Sequence, residues 1–411
     1  MIQQVERPDT RSELKLSSAV AAIAGAATGA AAEKARQLRA TGRSVIEMAR
    51  GEPHFDTPEH VRRAAIDAIA RGETRYTSVD GTPTLKNAVR RKFHRENELE
   101  FSLDQITIAS GCKQVIYNAL MSTLHAGDEV IIPVPHWDCY PSMTRLAGGT
   151  PVFAPCSPQS DFRLQPADLD AAITARTRWV LLNSPTNPTG AIYSPEQLAG
   201  LADVVARHPQ VWVMSDEIYE HITYDGRSTS FSAIAPRLAA RTLTVGGVSK
   251  TYAMTGFRIG WGAGPSALIK AMARLQSNST SNPCSISQAA AVEALNSPVD
   301  FLSERLRDLR ARRDEAIMGL NRAPGIRCTP PSGAFFAFAN CEDVLGKRTP
   351  DGRLLRNDVD FVDALLDREG VSVTQGSAFG CAGHFRLTFG VPQETLADAC
   401  LRIRRFCSEL A

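Results

Sequence analysis

Apolar positions in the first two thirds of the chain switch repeatedly between helical and strand spacing. Thr57-Pro58-Glu59 reads as an N-cap, a proline at the first helical position and an acidic first turn, opening a helix that Gly72 closes. Thr82-Pro83 repeats the device for a helix over 82–97, and a further apolar-patterned helix is predicted over 111–125. Short apolar runs predict strands at Glu129-Val-Ile-Ile-Pro133, Trp179-Val-Leu-Leu182, Val211-Trp-Val-Met214, Leu243-Thr-Val245 and Phe257-Arg-Ile259. Between them, Ser194-Pro-Glu-Gln197 has the form of a capping box. Strands alternating with helices of ten or more residues imply an α/β fold, with a parallel sheet covered on both faces.

The texture changes after Asn296. A strongly charged helix is predicted over 301–320, followed by short strands at 334–338, 371–373 and 385–387 and helices over 359–368 and 394–409, which is an α+β pattern. The polar stretch 346–357 reads as an exposed loop. At the other end, residues 19–32 are a run of small apolar residues, nearly all Ala and Gly. Fourteen residues are too few to cross a bilayer, which takes about 20. The run is read as an Ala-rich helix continuing into Glu33-Lys34-Ala35-Arg36 rather than a signal peptide, behind the charged Glu6, Arg7, Asp9, Arg11 and Glu13.

Composition narrows the function classes. Lys and Arg number 46 against 44 Asp and Glu, a formal charge of +2, so the basic excess that would neutralise phosphates is missing and no nucleic-acid partner is expected. The 9 cysteines form no C-x-x-C pair and the 8 histidines show no metal spacing, which argues against a disulfide framework or a metal centre and for a reducing, cytoplasmic setting with no membrane partner.

In open α/β sheets ligands bind beyond the carboxyl ends of the strands, and three strand ends here deliver polar residues. Asn183-Ser-Pro-Thr-Asn187-Pro-Thr-Gly190, Ser215-Asp216-Glu217-Ile-Tyr219 and Ser249-Lys250-Thr251 follow successive strands. An amide, a carboxylate, a phenol and a lysine then converge on one crevice. A lysine in that setting attacks carbonyls once its amine is neutral. Pyridoxal phosphate requires such a lysine, an acid facing its ring nitrogen and an anion site for its phosphate. Asp216 suits the nitrogen, the Ser110-Gly111-Cys112 turn ahead of a helix suits the phosphate, and Arg258 adds a clamp.

These stretches resemble the class I aminotransferases of pyridoxal-phosphate fold type I, the aspartate aminotransferase family. The resemblance runs in order through Gly51-Glu-Pro-His-Phe-Asp-Thr-Pro58, Tyr76-Thr-Ser-Val-Asp-Gly-Thr-Pro83, Gly127-Asp-Glu-Val-Ile-Ile-Pro133, Asn183 to Gly190, Ser215 to Tyr219, Ser249-Lys-Thr-Tyr-Ala-Met-Thr-Gly-Phe-Arg-Ile-Gly260, and Gly376-Ser-Ala-Phe-Gly380 through Arg386. It implies a large, mostly parallel-sheet cofactor domain at 52–297, and a small α+β domain from 1–51 plus 298–411. It implies that Lys250 holds the cofactor as an imine and shuttles the proton, that Asp216 keeps the ring nitrogen protonated, and that Tyr219 and Asn187 bond the cofactor's phenolate oxygen. Trp137 would stack on the ring. Gly111, Cys112, Ser249 and Arg258 would hold the phosphate, joined by Tyr76 from the neighbouring subunit of a homodimer. Arg386 would grip the substrate α-carboxylate, with Gly51, Trp137 and Asn187 lining the pocket, and His54 and His136 are candidates for substrate contact. The implied reaction moves an amino group between an L-amino acid, aspartate or aromatic in type, and a 2-oxo acid such as 2-oxoglutarate by a ping-pong route.

The sequence departs from the family pattern at two points that matter. Gly247 stands where some relatives carry a phosphate-binding serine three residues before the lysine. No Lys or Arg occurs between Arg274 and Arg305, where some aspartate-specific relatives place a second arginine, so an acidic side chain must find another cation, with Lys113 the candidate. The rival readings are a pyridoxal-phosphate lyase or synthase, such as a carbon–sulfur lyase, which shares Asp216, Lys250 and Arg386, and a non-catalytic cofactor-binding regulator. The regulator would need a DNA-binding module that the residues before Gly51 do not supply.

Overall fold

A strand buried on both faces needs apolar side chains of both parities, and the middle strands have them. In the computed structural model, which describes residues 14–23, 25 and 27–411, Leu181, Met214, Leu243 and Val245 pack on one face against Val115, Ala119 and Leu120 of the helix Cys112–Thr123 and Leu268, Ile269 and Met272 of the helix Ser266–Ser277. Val180, Leu182 and Val213, of the opposite parity, meet Leu198, Leu201 and Val205 of the helix Pro195–Ala206 on the other. That helix opens on the expected capping box, with Ser194 and Gln197 each accepting from the other's backbone N–H.

The sheet has seven strands in the order Ile106–Ala109, Gly260–Ala263, Thr242–Gly247, Trp212–Asp216, Thr177–Asn183, Glu129–Val134, Thr150–Pro155. All pairings are parallel except the two made by Gly260–Ala263. This reversed strand corrects the reading of 257–259 as a strand. Those residues are instead the end of a turn, Thr255–Phe257, and Arg258 in a left-handed conformation with φ 56°. The reversed strand sits so close under the helix Cys112–Thr123 that a Cβ on Gly262 would lie 2.8 Å from Val115. In the parallel core Asn183 pairs with Asp216, and Asp216 with Val245, so the polar strand ends lie side by side.

A second core lies beyond the sheet. Phe336–Asn340, His384–Thr388 and Thr374–Gln375 form an antiparallel sheet, packed with Phe361, Leu365, Leu396, Ile403 and Phe406 from the helices Asp358–Glu369 and Gln393–Ser408. Ile46–Glu47 pairs in parallel with Val371–Ser372 and ties the early chain to this core. The helix Phe301–Asn321 is less solvated than its charge suggests. Arg312 and Arg313 are buried, their guanidinium groups 5.5 Å from the Phe55 ring and 4.9 Å from the Tyr224 ring.

Three local expectations need correction. Pro58, not Thr57, is the cap of the helix Glu59–Ala70, because the Thr57 hydroxyl is drawn away to donate to the Ala253 carbonyl at 2.7 Å. The Ala-rich run is not one helix: Ser18–Ala21 ends and a second helix, Ala27–Ala40, begins, with residues 24 and 26 between them outside the described set, as are residues 1–13 with their charged flank. The stretch 346–357 is held by an Arg348–Leu354 bridge and buries Thr349 and Leu355. Among the described residues no helix is long and apolar enough to cross a membrane.

Candidate active site

The aligned strand ends open into a cavity of about 250 Å³ between the two cores. Eleven of the residues singled out in the sequence line it: Gly51, Cys112, Lys113, Trp137, Asn187, Asp216, Tyr219, Ser249, Lys250, Arg258 and Arg386. Gly111 lies at its edge as the residue before the helix Cys112–Thr123. It has φ 91°, and a Cβ there would come within 2.5 Å of Arg258 Nη2, so both the turn and the guanidinium demand glycine. Tyr76 is elsewhere. It is 91% exposed. His54 and His136 do not line the cavity. His54 is paired with Arg312 and held down to about 4 by burial and by that cation. His136 bonds the Trp137 carbonyl at 2.9 Å and stacks on Phe153.

Burial sets the charges. Lys250 Nζ donates to the Gly51 carbonyl at 2.7 Å, and its pKa is lowered to about 8, chiefly by loss of solvent. Asp216 is raised to about 6 by the same cause, against the opposing bonds from the Tyr140 hydroxyl at 2.7 Å and the Ile218 N–H at 3.3 Å. No cationic side chain among the described residues forms an ion pair with it. Arg386 is fully buried and lowered to about 10 by desolvation, which leaves it charged near neutral pH. It lies between the Phe336 and Phe379 rings at 4.4 and 4.9 Å, donates to Asn187 Oδ1 at 2.8 Å and the Ala49 carbonyl at 2.6 Å, and leaves its Nε without a partner. Asn187 is itself held by Asn183, whose Oδ1 accepts the Asn187 N–H at 2.8 Å.

The donor set fits pyridoxal phosphate. A buried carboxylate without a cationic partner suits a protonated ring nitrogen, and a buried, partly neutral amine suits an aldehyde. At the far end Arg258, Ser249 and the first N–H groups of a twelve-residue helix surround one corner, as a phosphate dianion requires. Cys112 at that corner bonds the Gly246 carbonyl, and burial raises its thiol well above the ordinary range, so it enters the site as a small neutral wall.

Four lining residues were not singled out in the sequence: Cys139, Tyr140, Asn183 and Ile218. Tyr140 matters most, since among the described residues its hydroxyl is the only side-chain donor to the Asp216 carboxylate. The signal available was weak, an aromatic three positions after Trp137, and the two rings do meet edge to face at 5.2 Å. Lys113, which also lines the cavity, holds its ammonium 4.9 Å from the Trp137 ring.

Residues 43–403 match the family described as aminotransferase class I and II. A probable aspartate/prephenate aminotransferase of Rhizobium leguminosarum bv. phaseoli is 49% identical over 393 residues, covering 95% of this chain and 98% of that protein. An aspartate aminotransferase of Rhizobium meliloti (strain 1021) is 52% identical over 379 residues, 92% of each chain. Among solved structures, the Rhizobium meliloti aspartate aminotransferase superposes with a TM-score of 0.94 at 49% identity, covering 97% of this chain and all of that one. The Thermus thermophilus aspartate aminotransferase with maleate gives 0.90 at 38% identity, covering 96% and 100%.

Proposed function

The chain belongs to the class I and II aminotransferases and is a pyridoxal-phosphate-dependent enzyme of fold type I, and from that premise we propose that its substrates are dicarboxylates, with aspartate as amino donor. The observation that carries this is the placement of cations in one cavity. Lys113, Lys250, Arg258 and Arg386 line it. Arg258 belongs to the phosphate corner, Lys250 to the cofactor's aldehyde and Arg386 to the α-carboxylate, which leaves Lys113 for a second carboxylate. Maleate in the Thermus thermophilus structure and prephenate in the names of relatives are both dicarboxylates, which supports the same reading.

Pyridoxal phosphate, when bound, supplies an electron-withdrawing ring that acidifies the donor's α-hydrogen and carries the amino group between substrates. The chain's own residues do the rest. Lys250, with its pKa lowered to about 8, is neutral in roughly a tenth of molecules at pH 7, against about one in three thousand for an exposed lysine, and its Nζ moves the proton taken from the α-carbon. Asp216 holds the proton on the ring nitrogen, and Tyr140 keeps Asp216 oriented and ionised. Tyr219 and Asn187 would hold the cofactor's phenolate oxygen. Arg386 orients the α-carboxylate, pre-positioned by Asn187 and its two aromatic neighbours. In this proposal residues 52–297 form the cofactor domain, and 1–51 with 298–411 the small domain. A second copy would supply Tyr76, exposed in this chain, to the phosphate corner.

The test is a half-reaction screen: loaded enzyme and one amino acid at a time, without acceptor, followed by cofactor absorbance. Aspartate is expected to give the highest kcat/KM. Lys113→Met should raise the KM for aspartate by about tenfold or more, the worth of a desolvated charge pair, and leave that for alanine within about twofold. An equal effect on both donors rejects Lys113 as the distal-carboxylate site. Arg386→Lys, by contrast, should raise KM for every donor, because a point charge cannot replace a bidentate fork. An unchanged KM across the panel rejects the α-carboxylate role.

A further inference from the structure

Next to Lys250 in sequence, but lining no part of the cavity, runs a chain of polar groups, buried at Thr251 and half-buried at His221 and Glu96, that the steps above leave without a task. Thr251 is 4% exposed, and its Oγ1 lies 3.0 Å from His221 Nδ1. His221 Nε2 lies 2.9 Å from Glu96 Oε2. Burial works against the Glu96 charge, but the bond from His221 and the ammonium of Lys92 prevail and hold its carboxyl down to about 2. An ionised Glu96 only accepts, so Nε2 carries the hydrogen. Nδ1 is left to share a hydrogen bond with the Thr251 hydroxyl, with the Glu220 carboxylate 3.9 Å away on the same side.

The far end of the chain is fixed. Glu96 stands on the helix Pro83–Asn97, where Lys92, 1% exposed, lies 3.7 Å from Glu96 and pairs with Glu220. Asn97 ties the two together, accepting from Lys92 at 2.9 Å and donating to Glu220 at 3.2 Å. The order carboxylate, imidazole, hydroxyl is that of a nucleophile-activating triad. Buried Thr251 meets no substrate, however, so the array can only hold, not attack.

The turn that carries Lys250 needs such a hold. Its own backbone bonds are long, 3.3 Å from Tyr252 N to Val248 O, 3.4 Å from Ala253 N to Lys250 O and 3.2 Å from Met254 N to Ser249 O, and Ala253 sits at φ 52°. The residue beside the lysine is therefore fixed by its side chain rather than by regular structure. We propose that Glu96, His221 and Thr251 are positioning residues that anchor the Lys250 turn and so fix where its amine enters the cavity. This rests on Lys250 as the covalent anchor of the cofactor.

Thr251→Val keeps the shape and removes the hydroxyl, and Thr251→Ser restores it. In the Val variant kcat should fall about tenfold, the scale of a lost buried hydrogen bond, with the KM for the amino donor within about twofold. The rate at which apoenzyme captures pyridoxal phosphate should fall similarly, and the pH midpoint of the loaded enzyme's absorbance should move. The Ser variant should recover all three. A Val variant with wild-type capture rate and midpoint overturns the proposal, as does a Ser variant impaired like Val. If the Val variant does not fold, Glu96→Gln must show the same split of kcat from KM and the same slow capture, and normal capture there overturns it. Borohydride reduction of loaded wild-type enzyme separates the two levels. A label off Lys250 defeats the anchor reading itself, whereas a label on Lys250 with unaffected variants defeats only the clamp.

Discussion

Replacing Lys250 with alanine should lower turnover by more than about four orders of magnitude while leaving the fold intact. General acid–base catalysis alone contributes about 10²–10⁴, and this residue is also the nucleophile toward the cofactor's aldehyde. Neither task passes to a neighbour. The other lining cations, Lys113, Arg258 and Arg386, are assigned in the proposal to the distal carboxylate, the phosphate and the α-carboxylate. The fold should survive because the ammonium is held by a single bond to the Gly51 carbonyl and its burial is unfavourable. Removing it relieves a charge that the native state disfavours. The decisive measurement pairs single-turnover kinetics with thermal unfolding of the apoprotein. Near-normal turnover would end the mechanism, and a collapsed unfolding transition would reassign Lys250 to structure.

Much of this site could be read from the chain because βα units put chemistry at predictable places. Strand ends at Asn183 and Asp216 are where polar residues interrupt apolar runs, and parallel pairing sets them side by side, with Val245 of the next strand beside Asp216. What escaped depends on contacts between distant segments. The reversed strand Gly260–Ala263 has glycine at alternate positions, a poor strand signal, yet glycine is what lets it lie under Val115 and the start of the helix Cys112–Thr123. Arg258 was read inside a strand, whereas its left-handed backbone turns the guanidinium toward Gly111. Tyr140 belongs to no motif, and its bond to Asp216 exists only once the helix Cys139–Leu146 packs against the sheet. The helix Ser285–Asn296 is apolar on several sides rather than along one stripe, so periodicity passed over it. The Ala-rich run misled in the opposite direction. Its composition favours one long helix, but Gly25 lies in the gap between the two observed.

Asp216→Asn should separate catalysis from stability. In the apoprotein the carboxyl of Asp216 is raised from 3.8 to about 6 by burial, so the native state keeps a proton that the unfolded chain has released. Between these two values the native state binds more protons, and stability therefore falls as pH rises, reaching a constant penalty above pH 6. Its size is of order 3 kcal/mol, less whatever the new amide loses if its NH₂ finds no acceptor. The variant apoprotein should thus melt higher than wild type at pH 7.5 and nearly equal to it at pH 4, with Tyr140 still donating to the remaining oxygen. Loaded with cofactor, the order reverses in function. A neutral amide cannot hold a proton on the ring nitrogen, and the loss of so buried an electrostatic partner should lower kcat by about 10²–10³ or more. Equal melting temperatures at pH 7.5 would show that the carboxylate is not strained in the empty site. Wild-type kcat would show that it does not face the ring nitrogen. The combined outcome, a steadier but slower protein, is what a site gives when a buried charge is kept for its ligand rather than for the fold.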